Sequence, residues 1–200
     1  MPRPANAARK DRIIRAAVTC FLTHGYDQTG VRDIARAAGV SLGNLYNHFP
    51  SKDALLAEIA ALEKDELVPF CKPLTVSSTP QTLETFVQTY ATYAALPENA
   101  LLTLEILTQA IRTPVVAVEF AKNRETLTTA LGKHLADGSA KGIYRPFTNP
   151  TDTAKLILDL IEGHALRTCL ATMDNATVPD IAELHLFVCA ATLPTTIDSR

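Results

Sequence analysis

The first fifty residues leave this chain little choice of fold, because their apolar side chains recur at spacings of three and four and a glycine or proline stops each run. From Arg9 to His24 the stripe is Ile13, Ile14, Ala17, Val18, Phe21 and Leu22, which lines one face of a helix that Gly25 ends. After the turn Tyr26-Asp-Gln-Thr-Gly30 comes a shorter stripe, Val31, Ile34, Ala35 and Ala38, with Thr29 placed to cap it and Gly39 to end it. Ser41 caps a third run in which Leu45 and Phe49 turn inward, and Pro50 prevents continuation. Ser51 starts a fourth, through Ala54, Leu55, Ile59 and Leu62 to Val68, with Pro69 expected to end it.

Beyond Pro73 the segment Thr75-Val-Ser-Ser-Thr-Pro80 reads as a loop, and helical periodicity then resumes. The pattern predicts helices over residues 81–95, 98–112, 114–137, 150–173 and 179–193. Pro114, Pro150 and Pro179 stand where a helix tolerates proline best, at its first position. No segment alternates apolar and polar residues between turns at strand spacing. The fold class is all-α: an N-terminal three-helix head over residues 1–51 and a larger C-terminal helical body over 52–200. With 47% hydrophobic residues the chain has ample material for a core.

The overall net charge of −2 hides an asymmetry. Residues 1–52 carry eight basic side chains against three acidic, the rest 11 against 18, so a +5 head precedes a −7 body. Such a head suits an anionic polymer. Two short helices joined at Gly39-Val40 match a helix-turn-helix, in which the second helix enters the major groove of DNA, although the same Ala-Ala-Gly-Val corner also serves ordinary helix packing. The outer face of the third helix favours DNA. With Leu45 and Phe49 inward it presents Gly43, Asn44, Tyr46, Asn47 and His48, a small, polar face. Gly43 costs a helix interior about 1 kcal/mol relative to Ala, which close approach to base edges would justify. Asn44 can donate to and accept from adenine, Tyr46 and His48 can reach phosphate oxygens, and Leu42 either joins the core or meets a thymine methyl. Arg9, at the start of the first helix, is a candidate for phosphate or minor-groove contact.

Across residues 9–62 the sequence resembles the tetracycline-repressor (TetR) family of bacterial regulators. The resemblance is carried by Cys20-Phe-Leu-Thr-His-Gly-Tyr26, Thr29-Gly-Val-Arg-Asp-Ile-Ala35, Ala38-Gly-Val-Ser41, Leu45-Tyr46, His48-Phe49 and Ser51-Lys-Asp-Ala-Leu-Leu56. It implies that Gly43, Asn44 and Leu42 face bases, whereas Thr29, Tyr46, His48 and Lys52 face the phosphate backbone. Leu42 departs from a position often polar or basic in the family. The resemblance further implies a repressor that binds a palindromic, double-stranded operator as a homodimer and is released by a small-molecule effector.

In the body, the helix near 150–173 carries a broad apolar band that includes Ile157, Leu158, Ile161, Ala165 and Leu166, and the last helix adds Leu184, Phe187 and Ala191. In the family the last two long helices form the dimer interface, and these residues are the candidates here. The alternative is that both are ordinary core helices. Between head and dimer helices, Phe86, Tyr90, Tyr93, Leu104 and Glu105, with Thr108, Gln109, Phe120 and Arg124, mix apolar surface with hydrogen-bonding groups, the composition of a small-molecule pocket. His134 and His164 read as structural histidines, since no Cys or Asp lies at metal spacing, and no metal or cofactor is called for. Cys20, Cys71, Cys169 and Cys189 are too scattered for a disulfide framework. With no apolar signal core at the start and no spanning segment, the chain is expected in the cytoplasm, away from membranes. Two rival readings are a cysteine redox sensor on the same fold, through Cys71 near two prolines, and an all-helical enzyme. No phosphate-cradling loop or nucleophile arrangement supports the enzyme.

Overall fold

A computed structural model describes residues 4–172 and 182–194, and among them all regular structure is helical. The helices are α1 (Pro4–His24), α2 (Val31–Ala37), α3 (Leu42–His48), α4 (Lys52–Val76), α5 (Pro80–Ala94), α6 (Pro97–Ala110), α7 (Pro114–Ala140), α8 (Pro150–Thr172) and α9 (Ala182–Thr192). Proline opens five of the longer ones, where its missing N–H has no intrahelical role. The start expected for the last helix, Pro179, and the end expected for the preceding one, Met173, lie outside the described residues. No helix of the described residues is long and apolar enough to cross a membrane.

The fourth helix departs from expectation. It runs through Pro69 and Pro73 to Val76 instead of ending at Val68. Each proline removes an intrahelical donor, which would free the carbonyls of Asp65 and Pro69. All three residues lie on the exposed face, where water can serve those carbonyls, while Leu67 and Leu74 are buried and hold the other face to a core. Packing of the inner face thus outweighs a local break on the outer one. Thr79 then caps α5, its hydroxyl accepting from Thr82 N–H at 3.3 Å.

The chain forms two compact units. The first comprises the residues up to Lys64 together with Leu101–Asn123, so the boundary expected at residue 51 falls inside it. Its core joins Ile13, Ala17 and Phe21 of α1, Ile34 and Ala35 of α2, Leu45 of α3, Phe49, and Leu55, Leu56 and Ile59 of α4. Ile106 of α6 and Val116 of α7 complete the same cluster, buried with it from some fifty residues further along the sequence. Asn123 ties α7 to α4 in this unit, its side-chain amide donating to the Ala60 carbonyl at 2.6 Å.

The second unit comprises Asp65–Ala100 and the described residues from Arg124 onward. Here α5 packs against α8 and α9, burying Leu83 and Val87 among Leu127, Leu131 and Leu135 of α7, Leu158 and Ile161 of α8, and Leu184 and Val188 of α9. His134 is fully buried in this core. The Tyr144 hydroxyl lies 2.7 Å from His134 Nε2 and donates to the Thr79 carbonyl at 2.8 Å, and His134 Nδ1 lies 3.3 Å from the Leu74 carbonyl, so both ring nitrogens meet hydrogen-bonding groups. Burial pushes the His134 pKa below its ordinary value, and the neutral ring is a structural group.

Candidate nucleic-acid interface

The reading helix is built by local rules that the sequence states openly. Helix α2 ends in a Schellman arrangement: Val40 N–H donates to the Ala35 carbonyl at 3.0 Å and Gly39 N–H to the Arg36 carbonyl at 3.1 Å. This closure needs a left-handed residue, and Gly39 supplies it at φ +63°. Ser41 then caps α3, its hydroxyl accepting from Asn44 N–H at 3.2 Å, an interaction worth about 1 kcal/mol. Leu45 and Phe49 are buried in the head core, so the outer face of α3 is fixed relative to α1 and α2.

On that face Gly43 is exposed, and a Cβ added there would meet nothing in the protein. Tyr46 is 47% exposed, Asn47 is exposed, and His48 is half-buried with its ring 6.3 Å from that of Phe49. Leu42 divides itself between the two expectations, half-buried and packed on the head core. Asn44 is turned differently from expectation: its Oδ1 is sealed from solvent with no hydrogen-bond partner among the described residues. Reading adenine with both amide groups therefore requires this side chain to rotate. Arg9 is half-buried on α1.

Two residues expected at phosphates are occupied within the head. Thr29 is buried, and its hydroxyl donates to the Gly25 carbonyl at 2.7 Å and the Cys20 carbonyl at 3.1 Å. It does not cap α2, whose N-cap is Gly30 with no side-chain cap. Thr29 instead ties the turn back onto the end of α1. The Lys52 ammonium donates to the Tyr26 carbonyl at 2.7 Å and the Thr29 carbonyl at 3.0 Å, and lies 4.1 Å from the centre of the Tyr26 ring. One N–H of three is left. Beside it the Tyr26 hydroxyl donates to Asp53, and burial with that carboxylate pushes the phenol pKa well up. Asp53 as the anchor of Tyr26, and Lys10 paired with Glu58 at 2.5 Å, went unnoticed in the sequence. So did the exposed Arg12, Arg15 and Arg32, for which the +5 charge of the head was the available signal.

Residues 13–59 match the family described as bacterial regulatory proteins of the tetR family. The chain is 30% identical to the HTH-type transcriptional regulator UidR of Escherichia coli (strain K12) over 156 residues, which cover 77% of this chain and 78% of UidR. The chain belongs to the tetR family. Its fold also matches a solved TetR-family regulator from Mesorhizobium loti, with TM-score 0.77 and 19% identity over 96% of this chain and all of that one. The flavonoid-responsive regulator FrrA is similar at TM-score 0.68 and 28% identity, covering 95% of this chain and all of FrrA. These relatives are transcriptional regulators and not enzymes, and this chain is a tetR-family transcriptional regulator with a helix-turn-helix head.

The remaining expected site residues fall in separate places. Phe86, Tyr90, Tyr93 and Arg124 lie in the second unit, where Phe70, Phe86, Tyr90 and Tyr93 form an aromatic cluster with ring centres 5.1–6.4 Å apart. The Tyr90 hydroxyl donates to Glu162 at 2.7 Å, and Arg124 bridges Glu162 and Asp159. Burial pushes the Glu162 carboxyl up, against the pull of Arg124. Leu104, Glu105, Thr108, Gln109 and Phe120 belong to the first unit: Leu104 and Thr108 are exposed, Phe120 packs on the head core, and Glu105 and Gln109 face the turn after α1. A cleft of about 420 Å³ in the second unit is lined by other residues, among them Arg145, Phe147, Asn149 and Leu156.

Five expected interface residues, Ile157, Leu158, Ile161, Ala165 and Leu184, are buried within their own chain. Their apolar excess serves packing against α5, α7 and α9. Leu166 and Ala191 are half-buried and Phe187 is exposed. The apolar residues that do face outward are Leu156 and Leu170 of α8 and Leu186 and Phe187 of α9, each 58–69% exposed. Burial raises the thiol pKa of Cys20, Cys71 and Cys189, which disfavours the reactive thiolate a redox sensor needs. Among the described residues no cluster of His, Cys, Asp or Glu could hold a metal ion.

Proposed function

We propose that this regulator is a repressor that binds a palindromic operator as a homodimer and releases it when a small molecule binds the body. The observation that carries this reading is the outer face of α3: a helix locked by Ser41, Leu45 and Phe49 that presents Gly43, Tyr46 and Asn47 to solvent on a +5 head. One seven-residue helix makes too few contacts for tight specific binding, and two-fold pairing supplies a second. Leu156, Gly163 and Leu170 stand seven apart on α8 and, with Leu186 and Phe187, offer the apolar stripe for a second copy. Base contacts are assigned to Gly43 and Leu42, with Asn44 joining after rotation. Phosphate contacts are assigned to Tyr46, His48, Arg9, Arg12, Arg15 and Arg32.

Effector binding is assigned to the Phe86, Tyr90, Tyr93 and Arg124 group, where aromatic faces adjoin an ionic pair. A relative described as flavonoid-responsive is consistent with a small-molecule effector. Release requires that the effector favour a conformation whose two heads are wrongly spaced, and α4, which spans residues of both units, is the element proposed to tilt. Selection of bound duplexes from random DNA by the full-length chain is expected to return a palindrome with half-sites about one helical turn apart. Light scattering is expected to give twice the chain mass. A monomer at micromolar concentration, or a non-palindromic motif, would overturn the dimeric reading.

A further inference from the structure

The turn between α1 and α2 is held from three sides within the first unit. Thr29 ties it to α1, Lys52 and Asp53 tie it to the start of α4, and α6 closes it from the third side. Ile106 of α6 is 1% exposed in the head core. On the same helix, Glu105 just before it and Gln109 one turn after it face the joint. Gly25, at φ +78°, leaves room for the Glu105 carboxylate, which would lie 3.3 Å from any added Cβ. Gln109 is 7% exposed, and its side-chain amide donates to the Asp27 carboxylate at 3.5 Å. A nearly buried amide aimed at a carboxylate on the exposed edge of the turn needs a reason beyond packing.

We infer that Gln109, through Asp27, is a positioning residue for the recognition helix. Helices α2 and α3 are joined rigidly by the Gly39 closure, so the orientation of the turn that feeds α2 sets the orientation of α3. A contact 82 residues away in sequence thereby contributes to operator affinity without touching DNA. This inference rests on the reading of α3 as the operator-reading helix. It also gives α6 a role in the head, where the sequence suggested a place in the effector pocket for Glu105 and Gln109.

The test is a double-mutant cycle on the full-length chain, with the duplex that the wild type selects and an unrelated duplex as controls. Gln109→Glu sets two carboxylates face to face and is expected to weaken selected-duplex binding by about tenfold, while Asp27→Asn alone changes it less than about threefold. In the double variant, Gln109→Glu with Asp27→Asn, the amide now on the turn donates to the carboxylate now on α6. The hydrogen bond is restored with its polarity reversed, and affinity should return to within about threefold of wild type. Binding to the unrelated duplex and the salt slope should not move, which separates positioning from loss of folded protein or of a phosphate contact. Should Gln109→Glu fold poorly, Gln109→Met removes the donor without adding charge and is expected to weaken only selected-duplex binding. Equal effects of Gln109→Glu in both backgrounds, or equal losses on both duplexes, would overturn the inference. A wild type that selects no sequence would instead overturn the operator-reading assignment itself.

Discussion

Replacing Lys52 with Met separates two roles that one cation can play. The methionine keeps the apolar stem above the Tyr26 ring but removes the ammonium from the Tyr26 and Thr29 carbonyls, 2.7 and 3.0 Å away. Hydrogen bonds to a charged group contribute about 1.5–3 kcal/mol each at best, and a partly exposed cation over an aromatic ring about 0.5–1. Lys52 is half-buried, and the Tyr26 carbonyl keeps a second donor, Thr29 N–H at 3.2 Å, so the lower end applies. The expected loss is about 3–4 kcal/mol, or a fall in thermal midpoint of roughly 7–14 °C. If the ammonium instead neutralises a phosphate in each subunit, the salt slope of operator binding should fall by about two per dimer. With two of its three N–H groups committed to the turn, the change is expected to stay below about half a unit, while affinity drops through the loosened head. A slope reduced by two with the thermal midpoint unchanged would refute this account of Lys52.

Gly43→Ala should raise stability by about 1 kcal/mol, because the added methyl meets nothing in the protein, yet lower operator affinity at least about tenfold if the base edges come close there. Denaturant midpoints and duplex binding on one sample decide it, and unchanged affinity would remove Gly43 from the interface. Phe187→Asp, on an exposed face, is expected to leave the fold intact and yield monomers in sedimentation; a persistent dimer would place the interface elsewhere. His134 titrates below its unfolded value of about 6.5, so the unfolded chain binds its proton first and the contribution of the neutral ring to stability is lost as pH falls below that value. Glu162 is shifted up and works in the opposite sense at lower pH, so the comparison must be with a variant. Urea midpoints at pH 7.5 and 5.5 should show a smaller acid loss in His134→Gln than in the wild type, and equal losses would clear His134 of the effect.

The parts of this protein that were legible in the sequence are those decided within one turn of a helix. Apolar spacing placed every helix seen in the described residues, Ser41 marked a true cap, and Gly39 marked the turn that sets α3 against α2. The exposed face of α3 followed from which residues had to point inward. Which backbone carbonyls a polar side chain finds was not legible there. Thr29 has the composition of a cap and Lys52 the charge of a phosphate contact, and both hydrogen-bond to carbonyls of residues 20–29.

The same limit explains the body. On α8 an apolar excess states only that something must cover it, and Ile157 and Leu158 go inward while Leu156 stays out because of where α5 and α9 pass. Pro69 and Pro73 read as stops because proline breaks local hydrogen bonds, yet the burial of Leu67 and Leu74 carries the helix through them. Sequence by itself determined an all-helical chain with a basic helix-turn-helix head, since capping, turn chemistry and periodicity act between near neighbours. Only the tertiary structure decided that α6 belongs to that head and that Gln109 meets Asp27, because long-range burial brings them together and nothing local records it.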